Sequence, residues 1–195
     1  MATTQWPRPR LNLMTLEDRA NASVSVVDGD LYIYGTKGDD HVEVHYELGC
    51  YKVTENGVES SCASSAIWDG KIYFYSGPGN DSMTNNSFLS LTANGGDGDD
   101  TLTGGAGMDF LVGQSGDDVL YGYDGIDFLS GGMGYDMLYG MSGNDFLYGG
   151  VDGISDYLNG GDGKDRFDME RVSILFFTFN RDAAVDYVSG EDYYV

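Results

Sequence analysis

Basic residues are scarce in this chain: ten Lys and Arg stand against 32 Asp and Glu, a formal charge of −22. A chain so acidic is repelled by phosphate backbones and anionic lipid surfaces, which excludes nucleic acid and a negatively charged membrane as partners. No stretch approaches the roughly 18 apolar residues of a membrane helix, so no membrane span is expected. Three Pro against 30 Gly point to turns rather than to stiff linkers. No G-x-S-x-G elbow occurs, no acid/base pair stands out from the repeated Asp, and "HVEVH" at residues 41–45 is not the H-E-x-x-H of zinc proteases. There are only two Cys, Cys50 and Cys62, flanking the Asn56-Gly57 turn signal. They are read either as a cross-strand disulfide, which would favour an oxidising compartment, or as two small apolar residues in a sheet. A two-residue turn would set the sulfurs one position out of register.

The composition is otherwise not that of a solvated acidic coil, because 41% of the residues are hydrophobic and 13% aromatic. Residues 1–22 are basic at first and lack both periodicity and the apolar core of a secretory signal, which reads as a disordered tail. "RPRLNLMTLEDR" also resembles the short leader of bacterial cell-surface and exported repeat proteins, on Leu16-Glu17-Asp18-Arg19 and its basic lead-in. From Ser23 to Tyr75, "SVSVV", "LYIY", "HVEVHY", "YKVTE" and "KIYFY" alternate apolar and polar residues between Asp-Gly and Asn-Gly punctuation, a β pattern. Two isolated turns in the region before residue 95, "GTKGDDHVEV" and "SGPGNDSM", look like drifted copies of the regular repeat that begins there.

From Gly95 a nine-residue pattern recurs eight times, opening at Gly95, Gly104, Gly113, Gly122, Gly131, Gly140, Gly149 and Gly160, the seventh unit being two residues longer. Position six is always Asp: Asp100, Asp109, Asp118, Asp127, Asp136, Asp145, Asp156 and Asp165. Position eight is Leu in seven units and Phe167 in the last. This G-G-x-G-x-D-x-U-x pattern resembles the repeats-in-toxin (RTX), or hemolysin-type, calcium-binding nonapeptide repeat. The resemblance is close over residues 95–168 and loose over 35–94. It implies an all-β fold, a right-handed parallel β-roll solenoid. An irregular β region at 23–94 would precede the roll and a β cap at 169–195 would close it.

The residue types suit that fold chemically. Gly at positions one and four is expected to supply backbone conformations that a Cβ forbids. Alternation turns position eight inward as a Leu stack. Two units then make a coil of about 18 residues, so units i and i+2 stack about 4.8 Å apart and the Asp of one lies near the turn of the other. Carboxylates and converging carbonyls, with no His or Cys among them, form an all-oxygen site that suits Ca²⁺ better than Mg²⁺. The expected ligands are the eight position-six Asp. With them come the carbonyls of Gly96, Gly98, Gly105, Gly107, Gly116, Gly125, Gly132, Gly134, Gly143, Gly161 and Gly163, serving about six ions at most. Such ions would offset about twelve negative charges. Asp40 and Asp81, in the outlying turns, are weaker candidates.

Phe110, Phe128 and Phe146, spaced by 18 residues, are expected to stack outward on one sheet beside Tyr148, with Tyr121 and Tyr139 on the other. They read as a stabilising ladder, or as an adhesive or oligomerising face. His41, Glu43 and His45 share one strand face, a conceivable transition-metal trio. Position three lacks the regular Thr or Asn of an ice-binding ladder. The apolar tail fits a cap, "DYVSGED" resembles the segment after the roll in secreted repeat proteins, and the terminal Asp192-Tyr193-Tyr194-Val195 resembles a C-terminal export signal. The expectation is a non-catalytic, exported, extracellular or cell-surface protein whose folding calcium drives, with a cell-surface, matrix or glycan partner. Its rivals are an accessory or secretion module of an extracellular hydrolase, and a calcium-dependent carbohydrate-binding surface protein.

Overall fold

The computed structural model describes residues 23–59, 70–168, 171–174, 177–180, 183–184 and 193–194. The leader at 1–22, Cys62, "DYVSGED" and most of the C-terminal signal lie outside the described residues. Alternating sequences flanked by Gly turns become strands, numbered β1 to β20 in chain order. One nine-stranded sheet contains β1 (Ser23–Val27), β2 (Asp30–Tyr34), β6 (Ile72–Pro78), β8 (Leu91–Asp97), β10 (Phe110–Ser115), β12 (Phe128–Met133), β14 (Phe146–Tyr148), β16 (Arg166–Asp168) and β20 (Tyr193–Tyr194), in that order. The other contains β5 (Val58–Glu59), β4 (Cys50–Glu55), β3 (His41–Glu47), β7 (Ser82–Asn86), β9 (Thr101–Gly107), β11 (Val119–Gly125), β13 (Met137–Gly143), β15 (Tyr157–Gly163) and β19 (Ala183–Ala184). A small hairpin joins β17 (Arg171–Ile174) to β18 (Phe177–Asn180).

From β6 to β16 the chain passes alternately between the two sheets, and each strand pairs in parallel with the one a coil away. The protein is a parallel β-solenoid of the β-roll kind. The strands of residues 23–94 belong to the same two sheets, with hairpins β1–β2 and β3–β4 folded antiparallel at the N-terminal end. Beyond the array, β19 adds to β15 and β20 adds to β16, so the tail lengthens both sheets. The two extra residues of the seventh unit fall in the turn between β14 and β15, and the Leu138↔Leu158 register survives them.

Inside, position eight forms two facing columns. Leu111, Leu129, Leu147 and Phe167 line one sheet, and Leu102, Leu120, Leu138 and Leu158 the other, none exposed by more than 1%. Each Leu contributes about 1.5–3 kcal/mol of apolar burial, and it is the one large core side chain of its nine residues. Towards the N-terminus the interior widens: Ile33, Phe74, Val42, Val44 and Met83 are all fully buried. Cys50 is disulfide-bonded, as the disulfide reading requires.

Outward, Phe110, Phe128 and Phe146 stand in register, with ring centroids 5.6 and 6.0 Å apart, and the Arg166 guanidinium lies 5.3 Å over Phe146. Tyr121 stacks on Tyr139 at 5.0 Å across the other sheet. The rings turn their faces to one another, which ties adjacent coils together.

Because the Leu columns carry the core, Leu129→Ala should lower the folded protein's unfolding free energy by about 2–4 kcal/mol. A shifted urea midpoint measures this; an unmoved midpoint would mean the column is not the core.

Candidate metal centres along the two edges

The turns from the first sheet to the second form one edge of the roll, and the return turns form the other. On the first edge the carboxylates of Asp40, Asp81, Asp100, Asp118, Asp136 and Asp156 make a single column. Each backbone N–H donates to Oδ1 of the next Asp: Asp40 to Asp81 at 2.6 Å, Asp81 to Asp100 at 2.7 Å, Asp100 to Asp118 at 2.8 Å, Asp118 to Asp136 at 2.9 Å and Asp136 to Asp156 at 3.0 Å. On the second edge Asp109, Asp127, Asp145 and Asp165 are linked in the same way, each step 2.8 Å. Stacking of units i and i+2 is thus as expected, and the first edge runs two rungs beyond the regular array.

Oδ1 of Asp81, Asp100, Asp109, Asp118, Asp127 and Asp145 accepts a backbone N–H from the coil before it. The Oδ2 atoms of Asp100, Asp109, Asp118, Asp127 and Asp145 are buried and have no hydrogen-bond partner. Leaving a buried acceptor unmade costs about 1–3 kcal/mol, and more when it is charged. Such a row calls for a cation or a proton against each oxygen.

Position one supplies the room. A Cβ built on Gly122 would lie 2.4 Å from Asp127 Oδ2 and 2.8 Å from Gly140 O, the carbonyl of the next coil. Gly95 sits in the same way between Asp100 Oδ2 and Gly113 O, Gly104 between Asp109 Oδ2 and Gly122 O, and Gly140 between Asp145 Oδ2 and Gly160 O. Gly113, Gly131, Gly149 and Gly160 lie equally close to Oδ2 of Asp118, Asp136, Asp156 and Asp165. Position one is therefore Gly because a carboxylate and a carbonyl close on the space a Cβ would fill.

This corrects the expected role of position one. Left-handed φ falls instead at positions two and four. At position two it is adopted by Gly96, Gly105, Gly132 and Gly161 but also by Gln114 (φ 88), Tyr123 (φ 76) and Met141 (φ 78). At position four it is adopted by Gly98, Gly107, Gly116, Gly125, Gly134, Gly143 and Gly163. Their carbonyls lie between coils: Gly107 O would sit 1.5 Å, and Asp127 Oδ1 3.2 Å, from a Cβ on Gly125. The strained φ at Gln114, Tyr123 and Met141 marks the turn shape as imposed by the stack rather than by local preference.

Among the described residues no three His, Cys, Asp or Glu side chains converge on one point. The oxygens beside each carboxylate are backbone carbonyls, a hard, all-oxygen donor set that fits Ca²⁺. The His41, Glu43 and His45 trio does not converge either. Nε2 of His41 lies 3.4 Å from Glu43 Oε1 and Nε2 of His45 lies 3.0 Å from Oε2, one imidazole on each oxygen. The hydrogen bond from His45 holds Glu43 below the usual carboxylate range.

Burial dominates the electrostatics of the columns. It pushes the carboxyls of Asp100, Asp109, Asp118 and Asp145 up to about 7 and Asp127 up to about 6, against the lowering effect of the donated N–H. Neighbouring carboxylates add to the rise, as Asp118 and Asp81 do at Asp100. Asp81 is raised for the same first reason.

These features define a class, a parallel β-roll with cation-demanding carboxylate columns on its edges. The model of the RTX calcium-binding nonapeptide repeat matches residues 92–120, 121–153 and 155–168. The array is thus an array of RTX repeats, and such repeats bind Ca²⁺. No curated protein and no solved structure matches the chain. Among the described residues no helix is long and apolar enough to cross a membrane.

Gly122→Ala should place a methyl group against Asp127 Oδ2 and Gly140 O and remove calcium from that gap, read as a reduced stoichiometry by isothermal titration calorimetry. Full stoichiometry would mean the gap is not a site. A second expected outcome concerns pH. A carboxyl raised in the folded state binds its proton more tightly there than in the unfolded chain. The metal-free roll therefore gains stability as pH falls from about 7 towards 4 and loses it as pH rises through about 7. In chelator, strand content by circular dichroism should grow between about pH 8 and pH 5. In calcium the trend reverses, because protons compete for the same oxygens.

Proposed function

We propose that the protein is an exported, non-enzymatic structural or adhesive module whose folding is driven by calcium outside the cell. The reading is carried by one observation: buried Asp Oδ2 atoms without partners, repeated in register on both edges. Their carboxylates, with the carbonyls at positions one, two and four, would hold the ions between successive coils. When bound, calcium supplies positive charge and 6–8 flexible coordination positions. The chain supplies everything else: the Leu columns set coil spacing, the Oδ1 bonds orient each carboxylate, and Gly at position one leaves the gap open.

Folding and binding are then one event. With a single Leu per nine residues, the array's apolar burial does not offset backbone ordering and the repulsion of stacked carboxylates. The array is disordered in a calcium-poor compartment and ordered at about millimolar calcium, the range of extracellular modules. RTX-repeat proteins are typically exported by bacteria, which accords with that switch. The expected ion count is about six along the regular array, three gaps on each edge. The stacked outward rings favour a stabilising role over a sugar platform, since a sugar ring packs on an open aromatic face.

Titrating chelated protein with calcium should convert a coil-like far-ultraviolet spectrum into a β spectrum in a cooperative step. Asp118→Asn with Asp127→Asn should raise the midpoint by about tenfold, one substitution acting on each edge. A spectrum indifferent to chelator, or a midpoint unmoved by both substitutions, would overturn the reading.

A further inference from the structure

The N-terminal coils solve the edge problem without carboxylates that need an ion. On the second edge, the slot held by Asp109, Asp127, Asp145 and Asp165 continues towards the N-terminus as Leu91, Ile72 and Leu31. The registers Phe110↔Thr92, Ile72↔Leu91 and Leu31↔Ile72 place them in the same column, and none is more than 1% exposed. The column itself is continuous, for the Leu91 N–H still donates to Asp109 Oδ1 at 2.6 Å. Only the chemistry changes, from carboxylate to hydrocarbon.

On the first edge the carboxylates do continue to Asp40, but Asp40 is satisfied by the protein. Its Oδ2 accepts the Thr36 N–H at 2.6 Å and its Oδ1 accepts the Asn56 Nδ2–H at 2.9 Å. Asn56 is itself locked. It sits in the β4–β5 turn with φ 49, its N–H donates to His41 O at 2.8 Å, and its Oδ1 accepts the His41 N–H at 2.8 Å. Among the described residues no coil precedes this rung to offer an N–H, and the Asn56 amide takes that place.

We infer that the coils β1–β8 form a nucleus that folds without metal, sealed at its outer end by Asn56, on which the calcium-dependent roll assembles. Its interior supports this: Val44 fills on β3 the slot that is Gly104, Gly122 and Gly140 in the array, so each coil buries more hydrocarbon. The Cys50 disulfide lies in the same segment. At Asp81 the Ser76 hydroxyl stands where the array has its position-one Gly and hydrogen-bonds the carboxylate, so Asp100, beside Gly95, is the first rung to demand an ion. The contrast between the two parts rests on the calcium-dependent folding proposed for the roll.

Hydrogen exchange with mass spectrometry on the full chain, in chelator and in calcium, tests the division. In chelator the amides of β2, β3 and β6 should exchange at least about tenfold more slowly than those of β9 to β15, and calcium should then protect both. Equally fast exchange of β2, β3 and β6 in chelator would overturn the nucleus. Full protection of β9 to β15 in chelator would instead overturn the calcium-dependent roll, so the two failures are distinct. Asn56→Asp sets a second carboxylate against Asp40 and should make the protection of β3 depend on calcium, while Asn56→Ala should weaken it in chelator. Unchanged protection of β3 in both variants would overturn the role of Asn56.

Discussion

A buried carboxylate oxygen without a donor is the constraint on which this fold turns. Asp100, Asp109, Asp127 and Asp145 each use Oδ1 to bind the coil before and hold Oδ2 at the position-one gap that the next coil's carbonyl closes. The first contact is ordinary hydrogen bonding; the second is not satisfied by protein. Stacking therefore multiplies the electrostatic cost along each column. In the proposed function the same oxygen is both the obstacle to the metal-free fold and the ligand of the loaded one, which ties shape to the ionic environment. The raised carboxyl values at Asp100, Asp109, Asp118 and Asp145 express the same conflict in proton terms.

Much of this was legible in the repeat. The nine-residue period, Asp at position six and Leu at position eight carried the resemblance to RTX repeats, and that resemblance implied coils of two units, i and i+2 stacking and the Phe110, Phe128 and Phe146 column. The reason for Gly at position one was not legible. A glycine that serves a left-handed φ and one that makes room for a neighbouring carboxylate look alike in sequence, and only the folded chain separates Gly122 from Gly125. Nor did Gln114, Tyr123 and Met141 announce left-handed backbone, because the stack overrides their preference.

The N-terminal coils were the harder part to read, for a physical reason. Where Leu31, Ile72 and Leu91 replace Asp, the most recognisable mark of the repeat vanishes although the coil geometry persists. Alternation alone then says strand but not which sheet. Asn56 was visible only as half of a turn signal, since its bonds to Asp40 and His41 span 16 and 15 residues. Local pattern identifies the turn; the partner across the edge comes from the fold.

The alternation of sheets also limits how such a chain can change its length. The seventh unit absorbs two extra residues in a turn and leaves Leu138 facing Leu158. Losing a whole nine-residue unit would instead send every later strand to the opposite wall, setting phenylalanines beneath tyrosines and breaking both columns at once. Descent with insertion or loss in this array should accordingly proceed by pairs of units, with single-residue drift tolerated only at the rims.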